Sequence, residues 1–140
     1  MYDRILVPVD LDEPSSWSKA LPAAVALARC FSARLTLATV VSDAVAGRAA
    51  QWSAIAYREL VDVAKAKLGQ LASSVTDLGE IETRVGAGST YGGILALADE
   101  GDIDLIVLAS HRPEMKDYLL GANASRVVRH ARCSVMVVRE

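Results

Sequence analysis

The stretch "SHRPEMKDYLLGANASR", residues 110–126, carries the residue types in this chain best suited to chemistry. His111 and Arg112 follow an apolar run that ends at Ala109, and Gly121 closes the polar segment. A guanidinium presents a planar fork of donors that fits a phosphate, and an imidazole beside it adds a titratable donor. Asn123 is a good N-cap for a helix starting at Ala124. The backbone N–H groups from Gly121 to Ser125 would then point out of the helix start, where free donors and the helix dipole favour an anion. Gly121 allows a close approach or a positive φ, and Ser125 adds a hydroxyl. The same letters also fit a plain capping asparagine and a solvated arginine.

A second candidate is "VPVD", Val7 to Asp10. A proline inside a central strand removes a ladder hydrogen bond, so Pro8 marks where that strand leaves its sheet. Asp10 follows at the rim. Its carboxylate or backbone could meet the sugar or base of a ligand, or it could cap a turn in "DLDEPSS", which is full of turn formers.

The elements that must position these residues are legible as a pattern. Apolar runs at Arg4–Val9, Arg34–Val41, Glu80–Val85, Asp104–Ala109 and Ser134–Arg139 are nearly continuous, as expected of strands covered on both faces. Helical stretches lie between them at Trp17–Phe31, Gln51–Ser73, Ser89–Asp99 and Ala124–Ala131, with Ser42–Ala50 read as a loop. Alternating strands and helices predict an α/β fold: a five-stranded parallel sheet with helices on both faces. Two strand orders fit, 3-2-1-4-5 and 2-1-3-4-5. In the first, the chain changes direction between strands 1 and 4, and a crevice opens at their C-terminal ends, where ligands collect.

The first turn contains no glycine, so it has neither the G-x-G-x-x-G of a Rossmann dinucleotide site nor a P-loop. "GAGSTYGG", Gly86 to Gly93, is a near-match with Tyr91 at the third glycine position. It reads as a glycine turn feeding a helix capped by Ser89, on an edge strand away from the crevice in the 3-2-1-4-5 order.

The totals bound the rest. A chain of 140 residues suits one domain, residues 1–140, and 52% hydrophobic with 23% charged is a globular composition. The net charge of −2 supplies no electrostatic footprint for nucleic acid or an anionic membrane. No apolar run nears the roughly 20 residues of a membrane span, and the start lacks the pattern of a signal peptide, so a cytoplasmic protein is expected. Cys30 and Cys133 are in no metal-type spacing and are expected to be buried thiols.

"DRILVPVD", "DLIVLASHRP", "LLGANASRVVRHA" and "CSVMVVR" together resemble the universal stress protein family over the whole chain, and "SHRP…YLLG…N" looks like its F/G-type branch. The resemblance implies the 3-2-1-4-5 order, a Rossmann-like fold of the adenine-nucleotide alpha hydrolase type. It also implies a homodimer paired through the last strand, Ser134 to Arg139, and an ATP site at the crevice, with Mg²⁺ able to arrive with the nucleotide. The family's signature is Gly, two residues, Gly, nine residues, then Gly and Ser or Thr. Here Ala109 and Arg112 stand at the first two glycines, Gly121 matches the third one residue early, and Ala122 replaces the hydroxyl. By the same resemblance Pro8, Val9 and Asp10 meet adenine and ribose, Val40 flanks the adenine, and Gly121 to Ala124 cradle the phosphates. The candidate ligand contacts are therefore Pro8, Val9, Asp10, Val40, Ala109, Ser110, His111, Arg112, Gly121, Ala122, Asn123, Ala124 and Ser125. Asp10, with His111 as a distant base, forms no complete constellation of nucleophile, base and orienter, so slow ATP hydrolysis is the most that is expected. The expected role is a nucleotide-binding, dimeric regulator of stress responses, read by an unknown protein partner. A dimeric module without nucleotide is the alternative.

Overall fold

The computed structural model describes residues 1–110 and 121–139. Its five strands are β1 (Arg4–Pro8), β2 (Arg34–Ser42), β3 (Glu82–Gly88), β4 (Leu105–Ala109) and β5 (Ser134–Val138). All pairs are parallel and the order is β3-β2-β1-β4-β5, the first of the two orders above. The helices are α1 (Ala20–Phe31), α2 (Asp43–Trp52), α3 (Ala54–Ser73), α4 (Thr90–Glu100) and α5 (Ala122–His130), with a 3₁₀ turn at Pro14–Ser16.

The continuous apolar runs serve two cores at once, because side chains alternate across a strand. Ile5 and Val7 of β1, Leu35 and Leu37 of β2, and Leu105 and Val107 of β4 face a core closed by α1 and by Leu68 of α3. Leu6, Ala38, Ile106 and Leu108 face the other side, against Ile94 and Leu97 of α4 and Ala124 and Val127 of α5.

Three expectations shift. Residues expected to form a loop at 42–50 are helical from Asp43 onward, because alanines at 44, 46, 49 and 50 favour helix and Asp43 suits its first turn. The glycine segment is not all turn. Gly86 to Gly88 complete β3 opposite Val40 to Ser42, and the turn is confined to Gly88, whose φ of +101° suits glycine. Ser89 then caps α4, its hydroxyl accepting from the Gly92 N–H at 3.2 Å. Finally, Cys30 is exposed rather than buried.

The pairing of β1 with β4 is short. Ile5 stands opposite Leu105 and Leu6 opposite Ile106, whereas β1 pairs with β2 along all of β1, and β4 with β5 along both strands. Beyond those two pairs the strands part. The Val9 N–H donates to the Ala38 carbonyl at 2.7 Å, and the Ser110 N–H donates to the Val138 carbonyl at 3.2 Å. At the other end Asp104 clamps the strands together. Its carboxylate accepts from the Asp3 N–H at 2.8 Å and the Arg4 N–H at 3.0 Å, and its own N–H donates to the Arg4 carbonyl at 3.0 Å.

Replacing Asp104 by Ala removes an ionised acceptor from two backbone donors, and we expect about 2 kcal/mol of lost stability. For a chain of this size that is a fall in melting temperature of about 6 °C, read by circular dichroism. Asp104→Asn keeps one acceptor oxygen and is expected to lose less.

Candidate functional site

The parted ends of β1 and β4 form the floor of a cleft of about 440 Å³, within the range usual for small-molecule sites. Its position follows from the strand order. Sequence neighbours leave in opposite directions at the switch point, so the helices on either side do not close over it.

One wall is the end of β1 and the turn that follows: Pro8, Val9, Asp10, Leu11 and Asp12. This turn is built by hydrogen bonds to Asp10. The Asp10 N–H donates to Ser16 Oγ at 2.8 Å, and that hydroxyl donates back to the Asp10 carbonyl at 3.1 Å. The Asp10 carboxylate accepts from the Asp12 N–H at 3.1 Å, so the turn role and the rim position hold together. Its second oxygen has no hydrogen bond among the described residues.

A second wall is the start of α5 with the end of β4: Leu108, Ala109, Asn123, Ala124 and Val127. Here the expected N-cap is corrected. The helix begins at Ala122, with Gly121 as N-cap at φ −55°, ψ 156°, and among the described residues no side chain caps it. Asn123 has helical backbone and cannot cap; it lies in the first turn and faces the cleft. Gly121 does not use its freedom to take positive φ. The first intrahelical bond is from the Ser125 N–H to the Gly121 carbonyl at 2.9 Å, so the N–H groups of Ala122, Asn123 and Ala124 are the first-turn donors.

Of the remaining walls the sequence singled out Val40 alone. Thr39, Val40, Val41 and Ser42 end β2, and Thr90 and Ile94 come from α4. Val40 and α4 pack closely: a side chain on Gly93 would stand 2.7 Å from a Val40 methyl, so only glycine lets α4 come this near. Leu60, Val63, Ala64 and Lys67 come from α3. Their i, i+3, i+4, i+7 spacing puts them on one helix face, and the signal was a lysine ending an apolar stripe. Val63 is 50% exposed, which on a helix face bordering the cleft makes an open apolar wall. The Lys67 ammonium lies 4.0 Å from Asp12 Oδ1, bridging α3 to the β1 turn.

Of the sequence candidates, the cleft brings together Pro8, Val9, Asp10, Val40, Ala109, Asn123 and Ala124. Among the described residues its walls do not include Ser110, Gly121, Ala122 or Ser125. His111 and Arg112 lie outside the described residues. Among those described, no group of His, Cys, Asp and Glu is placed to hold a metal ion, and no helix is long and apolar enough to cross a membrane. The thiols are unpaired and away from the cleft, and burial holds that of Cys133 above its ordinary pKa.

A model of the universal stress protein family matches residues 1–139. The chain belongs to that family. Universal stress protein G of Escherichia coli O157:H7 is 33% identical over 143 residues, covering 99% of this chain and 100% of the relative. Among solved structures, universal stress protein UspA from Lactobacillus plantarum superposes with a TM-score of 0.72 at 28% identity, covering 99% of this chain and 98% of that one. A universal stress protein crystallised in complex with cAMP gives a TM-score of 0.64 at 26% identity, covering 99% and 97%. In this family member the cleft joins a carboxylate turn, the first-turn residues Asn123 and Ala124 of α5 and an apolar helix face.

Ser16 is the residue that fixes the Asp10 turn. Ser16→Ala removes both of its hydrogen bonds, and we expect about 1 kcal/mol of lost stability, read as a denaturant midpoint shift without a change in slope.

Proposed function

We propose that the cleft binds an adenine nucleotide, with ATP, alone or with Mg²⁺, as the ligand the family resemblance implies. The carrying observation is the start of α5, with no capping side chain among the described residues, across one cleft from the apolar face of α3. First-turn N–H groups suit a phosphate, and Leu60, Val63 and Val40 suit the faces of a base. Between them the second oxygen of Asp10, without a hydrogen bond among the described residues, can accept from a ribose hydroxyl. The cAMP complex of a relative with the same fold supports this reading.

Binding rather than turnover is the role we assign. A hydrolase needs a nucleophile or held water, a base and something to orient it. Asp10 already spends one oxygen on its own turn, and no such set stands around it among the described residues. We further propose that two copies pair through β5. It is an edge strand with Met136 39% exposed, and such an edge invites a second strand. A protein partner would then read the nucleotide state of the dimer.

Calorimetric titration with ATP and AMP, with and without Mg²⁺, is expected to give micromolar dissociation constants. Val63→Glu puts like charge against the ligand at a half-exposed position, and we expect binding to weaken about tenfold with the thermal melt unchanged. No heat with either nucleotide would instead favour the interaction module that Ala109 and Ala122, standing where the family has glycine and a hydroxyl, would suit. Light scattering is expected to return twice the 14.9 kDa chain mass; a monomer at high micromolar concentration would remove the β5 dimer.

A further inference from the structure

We propose that Lys67 and Asp12 read the edge of the base and make the cleft select adenine over a 6-oxopurine. This rests on the nucleotide reading above and extends it from binding to choice of base.

The cleft orients its ligand. The phosphate-binding start of α5 belongs with the core on one side of the sheet, and α3 packs on the other. A nucleotide with its phosphate at Asn123 therefore carries its base toward α3. Three of the four α3 residues there are apolar and suit the ring face; the fourth is Lys67, one turn beyond Val63 and Ala64. From the facing β1 turn Asp12 brings a carboxylate to 4.0 Å from the Lys67 ammonium.

An ammonium only donates and a carboxylate only accepts. Side by side they complement a base edge that shows an acceptor beside a donor. Adenine shows this pattern, N7 beside the N6 amino group. A 6-oxopurine carries a carbonyl oxygen in place of that amino group; Lys67 can donate to that oxygen as well as to N7, so the selection rests on Asp12, whose carboxylate would face a lone pair. The pair is loosely held: the side chains are 53% and 92% exposed, and exposed pairs at this separation exchange partners at little cost. Both groups are thus able to turn to the base. Among the described wall residues Lys67 is also the one cation.

The test is calorimetry of the full chain with AMP, IMP and 7-deaza-AMP, on wild type, Asp12→Asn and Lys67→Met. The water-exposed rim sets a modest scale. Wild type is expected to bind AMP about fivefold tighter than IMP and about threefold tighter than 7-deaza-AMP. Asp12→Asn, whose amide both donates and accepts, is expected to bring the AMP-to-IMP ratio near one. Lys67→Met is expected to erase the difference between AMP and 7-deaza-AMP. Ratios within one protein cancel any general effect of the altered charge or stability. Wild-type preference for AMP that survives both substitutions would overturn the base-reading role while leaving nucleotide binding intact. Absence of binding by any of the proteins would overturn the nucleotide reading and this inference with it.

Discussion

The short pairing of β1 with β4 is the constraint on which the site depends. Ile5 and Leu6 meet Leu105 and Ile106, and then each strand follows its outer neighbour, Val9 to Ala38 and Ser110 to Val138. A sheet that stayed zipped here would present a flat edge of strand ends. Because it opens, the turns after β1 and β4 diverge and both cores end at the same cleft. The Asp104 carboxylate holds the opposite end closed, so the split is confined to one end of the sheet.

Each wall then contributes a different kind of recognition. The β1 turn is stiffened by Ser16 and presents Asp10 and Asp12. The start of α5 presents backbone donors with no capping side chain among the described residues, and its helix is tied to α4 by Arg126 over the Tyr91 ring, 5.1 Å away, and by His130 stacked on the same ring. Gly93 brings α4 close enough to Val40 to finish the apolar side. None of these interactions is strong alone. Their value is that rigid elements hold them in fixed relation around one ligand-sized space.

The sequence disclosed the sheet because strands buried on both faces leave long apolar runs that nothing else explains. It disclosed Asp10 and the α5 start because proline, aspartate and a glycine before a helix mark strand exits and helix entries. It hid α3's part. Leu60, Val63 and Lys67 look like any amphipathic helix, and only the tertiary position of α3 over the switch point turns that face into a wall. It misled at Asn123, since a good capping residue is also tolerated within the first turn when glycine has already started the helix. It misled at 42–50 as well, where the lack of a strong apolar period outweighed alanine's plain preference for helix.

The central claim, one nucleotide held between α5 and α3 at the β1–β4 split, is tested most directly by amide chemical-shift mapping with AMP. The account predicts saturable shifts at Val9, Val40, Val63 and Asn123 together, on both sides of the sheet. It predicts none in the separate groove between α1 and the end of α3, at Leu21 and Val75. Shifts at Asn123 without any along α3, or shifts confined to that groove, would contradict it.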